Sequence, residues 1–330
     1  MTSNLKDWDF KEKIIQEIKN KGGWVNTHSH LDRAYTVTSK TLKLGNKHLH
    51  KKWEIVDQIK KSSTVDQIYD RMAFAIEQQI SQGVTVLGSF IDVDNVIKDK
   101  SIKAAQRVRD KYKKDIQLVF INQALKGVID PKAKKWFDEG AQFVDIIGGL
   151  PAKDAGKEAE HLDILFDTAK QLKKMVHVHV DQLNTKQEKE TELLAKKTIE
   201  HNLAGKVVAI HGVSLAAHPK KYRQKVYRLM KKAKMPLIAC PVAWIDSIRT
   251  EEMAVTHNSI APVEELITEK IIVAIGTDNI ADVYKPFADG SMWTELRFLL
   301  ETCHFYDLKQ LVNISTKNSR KVLGVKAAIK

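Results

Sequence analysis

Eight apolar, β-branched runs recur along this chain, at 23–28, 84–91, 117–124, 143–150, 175–180, 207–211, 236–242 and 271–278. Helix-like segments separate most of them. Val65, Ile68, Met72, Ile76 and Ile80 fall three or four residues apart behind Thr64, with Gln67 placed to complete a capping box. The same periodicity occupies 102–112, 159–173, 190–202 and 220–234. Alternating strands and helices pair the strands in parallel through right-handed crossovers, and eight such units predict an α/β fold, a closed (β/α)8 TIM-type barrel. An open, dinucleotide-binding sheet is disfavoured, because no Gly-x-Gly-x-x-Gly turn follows the first run.

A chain of 330 residues with 43% hydrophobic side chains and no Pro/Gly/Ser-rich linker is expected to form one domain over 1–330. Residues 1–22 read as a helical extension, in which Trp8, Phe10, Ile14, Ile15 and Ile18 would plug the lower mouth of the barrel. No apolar stretch is long enough to span a bilayer and no signal-peptide core precedes the first run, so no membrane contact and a cytoplasmic location are expected. Cys240 and Cys303 read as reduced, partly buried fillers. The net charge of +13 is concentrated in 220–234, where Val226, Leu229 and Met230 recur at helical spacing. That pattern is an amphipathic helix with a basic solvated face, and without an accompanying motif nucleic acid is not an expected partner.

The ends of four runs carry chemistry. His28 and His30 lie two residues apart, so a strand-like backbone projects both to one side, within reach of one ion. His179 ends the fifth run, His211 the sixth and Asp278 the eighth. In a barrel these positions converge at the C-terminal mouth, where active sites gather. Imidazole and carboxylate together suit a borderline divalent ion with one position left for water, and a water so held becomes a nucleophile near neutral pH. His28, His30, His179 and Asp278 are therefore the expected metal ligands and hydrolysis the expected reaction, with His211 completing the shell or polarising the substrate. His177 shares the face of His179 one layer deeper and reads as an interior residue. His48, His50, His161, His201, His218, His257 and His304 are expected at the surface or as caps. The stretch 31–63, with Tyr35 and Trp53, reads as a long loop at the active end. Trp53, Trp244 and Trp293 are candidate pocket walls.

His28-Ser29-His30-Leu31-Asp32, His179 before Asp181, His211-Gly212 and Gly276-Thr277-Asp278-Asn279 resemble, in order and placement, the metal motifs of the amidohydrolase superfamily, closest to its cytosine deaminase group. The similarity runs from about Gly23 to Val325 and includes a tail at 313–320 like the family's closing helix. It implies one Zn2+ or Fe2+ on His28, His30, His179 and Asp278, with Asp278 taking the proton of the attacking water and His211 stabilising the tetrahedral intermediate. It also implies a small-molecule substrate, a nitrogen heterocycle or an amide, bound by Gln123; a homo-oligomer is left open.

Three positions depart from that pattern. Gln182 stands where the group has a proton-shuttling glutamate, and a neutral amide cannot exchange a proton, a loss of about 10²–10⁴-fold in general acid–base catalysis. Asn279 replaces the aspartate that binds the ring, and Phe90 replaces a histidine on the second strand. Glu188, Glu190 and Glu192 are placed to fold back and restore a carboxyl, or to form a solvated helix start. The β-sandwich that flanks most relatives is also expected to be missing. The expected function is hydrolysis of a C–N bond in a cyclic amidine or amide, the alternative a pseudoenzyme that keeps the metal pocket for binding or regulation.

Overall fold

The computed structural model describes residues 8–39, 42, 49–245 and 260–326, with only the backbone at 49–51, 53, 244 and 245. The expectations for His48, His50, Trp53, Trp244 and His257 fall outside the described side chains. Each apolar run contains one strand: β1 Trp24–Asn26, β2 Val84–Asp92, β3 Gln117–Gln123, β4 Ile146–Gly149, β5 Met175–Val180, β6 Val207–His211, β7 Leu237–Ala239 and β8 Val273–Ile275. They form one parallel sheet in sequence order. Its edges meet: Thr27 N donates to Ile275 O (3.1 Å), Asp278 N donates to His28 O (2.9 Å), and Ser29 bridges to Asp278. The expected (β/α)8 barrel is what the chain forms.

Two apolar layers follow from the strand period of two. Trp24, Leu87, Phe120, Ile147, Val178 and Ala209 face outwards into the helical layer, whereas Val25, Phe90, Ile121, Ile146, Val208, Ile210 and Ile238 fill the bore. Val322 and Leu323, at the end of the helix Lys317–Val322, pack into the bore cluster. The closing helix thus stoppers the lower mouth, and the N-terminal helix does not. Phe10–Asn20 instead lies against the helix Leu308–Ser315, with Ile14 and Ile18 buried in the outer layer. The physical reason is shape: Ile14 and Ile18 make a stripe along a helix side, which packs side-on, whereas a stopper needs apolar residues at a helix tip.

The stretch after β1 is not the expected loop throughout. It contains a 3-10 turn, Leu31–Arg33, and a helix, Leu49–Ser62. Val56 of that helix packs with Leu125, Leu150 and Val283 from the loops after β3, β4 and β8, so the helix lies over the C-terminal mouth. Thr64 and Gln67 do form the capping box, with Gln67 N donating to Thr64 Oγ1 (3.2 Å) and Thr64 N to Gln67 Oε1 (3.0 Å).

The basic segment is the helix Lys220–Lys232, which buries Val226, Tyr227 and Met230. Its outer face is partly neutralised by Arg223 on Glu265, Lys225 on Glu192 and Lys231 on Glu269. Among the described residues no helix is long and apolar enough to cross a membrane.

Truncating the stopper tests this arrangement. Leu323→Ala is expected to lower unfolding free energy by about 2–5 kcal/mol through the cavity it leaves in the floor. A urea-unfolding midpoint indistinguishable from that of the parent would show that the closing helix does not seal the bore.

Candidate metal centre

The backbone turns sharply at two of the strand ends that carry candidate ligands. His211 and Asp278 adopt left-handed conformations, with φ of 74° and 57°, which for residues bearing a Cβ costs about 1–2 kcal/mol apiece. Such strain persists only where surrounding contacts over-determine it. Gly276 has the opposite task. A Cβ there would lie 2.6 Å from His28 Cβ, so only glycine lets β8 approach His28 closely enough for Asp278 to reach it.

Asn26 fastens that junction. Its Oδ1 accepts from His28 N (3.3 Å) and Thr277 N (3.2 Å), and its Nδ2 donates to Thr277 Oγ1 (2.9 Å) and Gln79 Oε1 (3.0 Å). The segment beyond is laced to β2. Ser29 Oγ donates to Gly88 O (2.9 Å), Ser89 Oγ accepts from Leu31 N (3.0 Å), and Asp32 Oδ2 accepts from Asp92 N (2.7 Å) and Ser101 Oγ (3.0 Å).

The five expected residues come together, each at most 4% exposed. His28 Nε2 and His30 Nε2 lie 3.3 and 3.1 Å from Asp278 Oδ1. The ring of His179 is 4.9 Å from that of His28, and the ring of His211 is 5.4 Å from His28 and 5.3 Å from His179. Ligand atoms of His28, His30 and His179, and again of His28, His211 and Asp278, lie within 4.8 Å of one another. Both ring nitrogens of His28, Nδ1 of His30 and Nε2 of His179 are buried without a hydrogen-bond partner. Unpaired buried imidazole nitrogens are costly unless something electrophilic sits among them. The donor set, three or four imidazoles and one carboxylate, fits a borderline divalent ion.

Electrostatics favour the ligating protonation states. Burial holds His179 well below its ordinary value, and the neighbouring His28 and His211 push the same way. His30 is likewise lowered by burial and by the Arg33 charge, and burial takes His211 down to about 3. Burial alone would raise Asp278, but the imidazoles of His28 and His30 against its carboxylate keep it well below the usual range.

The remaining candidates are placed as follows. Gln123, 3% exposed at the end of β3, has a buried Oε1 with no partner. Phe90 packs its ring 4.5 Å from that of His179 and 5.0 Å from that of His28. Gln182 stands half-buried just past β5. Asn279 donates from Nδ2 to Asp282 Oδ2 (2.7 Å), which leaves its carbonyl as the group still available. His177 is interior, its Nε2 2.8 Å from Val322 O, and burial lowers it to about 4. Trp293 is not a pocket wall: it packs in the outer layer beneath Lys11 Nζ, 5.4 Å from its ring.

Two expectations need correcting. Glu188 and Glu190 are not a solvated helix start. Their Oε2 atoms accept from Leu183 N (2.8 Å) and Asp181 N (3.0 Å), and burial, helped by the Asp181 charge, raises both to about 8. The cause is Asp181, whose φ of 52° reverses the chain and whose carboxylate accepts from Glu190 N and Thr191 N. Glu192 is buried as well, paired with Lys196 and Lys225. His161 is buried rather than superficial, on the inward face of its helix with Leu165 and bonded to Asp154; His218 does cap the helix Ser214–Ala217, though buried and reaching Glu188 O.

Sequence reasoning missed the supports. Asp92 ends β2 and receives Arg33 Nη1 (3.3 Å) and Lys60 Nζ (3.0 Å), while Lys60 also pairs with Asp94 (2.5 Å). This knot pins the helix Leu49–Ser62 and the His-x-His segment to the same strand end. Its signal was a carboxylate one residue past the apolar run, and for Asn26 a lone amide inside one.

A cage of buried histidines and an aspartate at the C-terminal mouth of a (β/α)8 barrel defines the class of metal-dependent hydrolases. The sequence model of the Amidohydrolase family matches residues 21–328, and the chain belongs to that family, hydrolases of carbon–nitrogen bonds other than peptide bonds. It is 53% identical over 266 residues, 79% of this chain and 96% of its relative, to an uncharacterized protein of Haemophilus influenzae. It is 26% identical over 331 aligned residues, 94% of this chain and 78% of the relative, to N-isopropylammelide isopropyl amidohydrolase of Pseudomonas sp. strain ADP. Among solved structures, 5-methylcytosine deaminase of Klebsiella pneumoniae with 5-fluorocytosine superposes with a TM-score of 0.84 at 22% identity, over 92% of this chain and 74% of that one. The last similarity carries the fold.

Burial of neutral histidines sets a pH dependence. His177 and His211 fall from 6.5 to about 4 and about 3 on folding, so between these values the unfolded chain binds the extra protons. Stability of the metal-free protein is therefore complete above about pH 6.5 and falls as the pH drops towards 4, by up to about 1.4 kcal/mol per pH unit for each group. Urea unfolding at pH 7, 6 and 5 reads this directly; a level stability over that range refutes neutral burial.

Proposed function

We propose that this protein hydrolyses an exocyclic C–N bond of a nitrogen heterocycle, a cyclic amidine or a related amide, with one Zn2+ or Fe2+ held by His28, His30, His179 and Asp278. The observation that carries the reading is the buried group of imidazoles around Asp278: Nε2 of His28 and of His30 lie 3.3 and 3.1 Å from its Oδ1, and Nε2 of His179, in the same cluster, has no hydrogen-bond partner. A divalent ion in that cage supplies a Lewis acid beside which water ionises near neutral pH. The Asp278 carboxylate would take the water's proton and, with no second carboxylate at Gln182, pass it to the leaving nitrogen itself. His211, neutral and facing the same centre, donates a hydrogen bond to the oxygen that becomes negative at the attacked carbon. Gln123 Oε1, buried and unpaired, accepts from a ring N–H and orients the heterocycle.

Gln182 favours a substituted amine as the leaving group over ammonia from an unsubstituted ring such as cytosine. A substituted amine is the more basic leaving group and draws its proton from Asp278 with less assistance. The name of the Pseudomonas relative, an isopropyl amidohydrolase, is consistent with this chemistry. The same reading takes residues 1–330 as one domain.

Purified protein is expected to carry about one equivalent of zinc or iron by elemental mass spectrometry, and His179→Ala to lose most of it. The loaded protein should release alkylamine from an N-alkylamino-triazine, with kcat reduced at least ~10²-fold in Asp278→Asn. Metal in the parent without turnover of any substituted aminoheterocycle would instead favour the binding module.

Gln182→Glu restores a carboxyl to the shuttle position. It is expected to raise the rate of ammonia release from cytosine by about 10²-fold or more over the parent, measured with a coupled ammonia assay. No gain would mean that Gln182 is not what directs the choice of leaving group.

A further inference from the structure

His161 lies outside the cage, on the helix Glu158–Leu172, yet it is fully buried and hydrogen-bonded at both nitrogens. Its Nδ1 is 2.6 Å from Asp154 Oδ2, and its Nε2 accepts from Leu150 N at 3.2 Å. Asp154 Oδ2 also accepts from Val128 N (2.8 Å), which fixes the carboxylate in place. Leu150 N belongs to the same peptide group as Gly149 O. That carbonyl faces His179 Nδ1 at 3.4 Å.

The donors in this series all point one way. His179 Nδ1–H donates to the Gly149 carbonyl; the N–H of the same peptide unit donates to His161 Nε2; His161 Nδ1–H donates to Asp154. Aligned hydrogen bonds polarise one another, so the negative charge of Asp154 strengthens the acceptor that His179 meets. Gly149 makes the approach possible. A Cβ there would lie 2.2 Å from Leu165 Cδ1 and 3.4 Å from His161 Nε2, so any side chain would push the peptide off the helix.

We propose that Asp154 and His161 are positioning residues for His179, acting through the Gly149–Leu150 peptide to hold its proton on Nδ1 and turn the lone pair of Nε2 into the cage. The idea rests on the metal reading only for its consequence: a ligand whose outer nitrogen is so engaged binds metal more tightly, and loss of such a partner typically weakens binding about 10–100-fold. The tautomer itself does not need metal.

Two variants and two measurements test it. Asp154→Asn keeps the shape and removes the charge, and His161→Ala removes the link. In the metal-free parent, long-range 15N–1H NMR should show His179 as the Nδ1–H tautomer, and both variants should populate Nε2–H several-fold more, with His177 as the unmoved control. Zn2+ affinity by chelator competition should fall about 10–100-fold in His161→Ala and by a smaller factor in Asp154→Asn. An unaltered His179 tautomer in Asp154→Asn and His161→Ala overturns the proposal whether or not metal binds. A shifted tautomer in a parent that takes up no Zn2+ would sink the metal reading and leave the relay standing.

Discussion

Closure of the sheet, where β8 meets β1, is the constraint on which the rest of the molecule depends. His28 and Asp278 are 250 positions apart in the chain, and only a barrel whose last strand hydrogen-bonds to its first brings them within 3.3 Å. The junction is made by short-range forces at every scale. Backbone bonds join Thr27 to Ile275 and His28 to Asp278, the Asn26 amide holds both sides at once, and Gly276 gives up its side chain so that His28 fits. Nothing in the cage survives opening this seam, because His28 belongs to both of its close-packed ligand sets.

The seam is held from outside by buried charge. Asp92, receiving Arg33 and Lys60, and Asp32, receiving the Asp92 N–H, tie the His-x-His segment and the helix above it to β2. Burial raises Asp32 and its neighbour Asp92 adds to the effect, which is the mark of carboxylates crowded where water does not reach. Such pairs contribute little net stability, since desolvation offsets most of their attraction. Their contribution is directional: a charge pair with one good geometry fixes where His30 points. Strain at His211 and Asp278 has the same logic, with the packed barrel holding backbone conformations that an isolated strand would abandon.

How far the sequence could be read depended on whether the informative contacts were local. The eight strands and the helices between them are legible because periodicity is a property of neighbouring residues, and seven strands fall within their expected runs while β2 extends one residue further, to Asp92. The five cage residues were legible because strand ends in a barrel share one mouth. The helix Leu49–Ser62 is not separated from the loop expected over 31–63, between β1 and the helix capped by Thr64, although Val56 and Ile59 recur at helical spacing. Sequence alone cannot choose between a solvated and a folded-back Glu188 and Glu190, because nothing local says that Asp181 will reverse the chain. His161 looked like any helix histidine until Asp154 and Leu150, from the turn after β4, came to both of its nitrogens.

By itself the sequence determined the alternation of strand and helix, the family and the identity of the residues that meet at the mouth, because each is written in spacing and side-chain type. Tertiary structure alone decided that the closing helix rather than the first one stoppers the bore, that Asp92 and Lys60 brace the site, and that a peptide group links His161 to His179. These depend on contacts between segments far apart in the chain. Which of several chemically suitable surfaces meets which is set by the packing of the whole barrel, and no single segment carries that information.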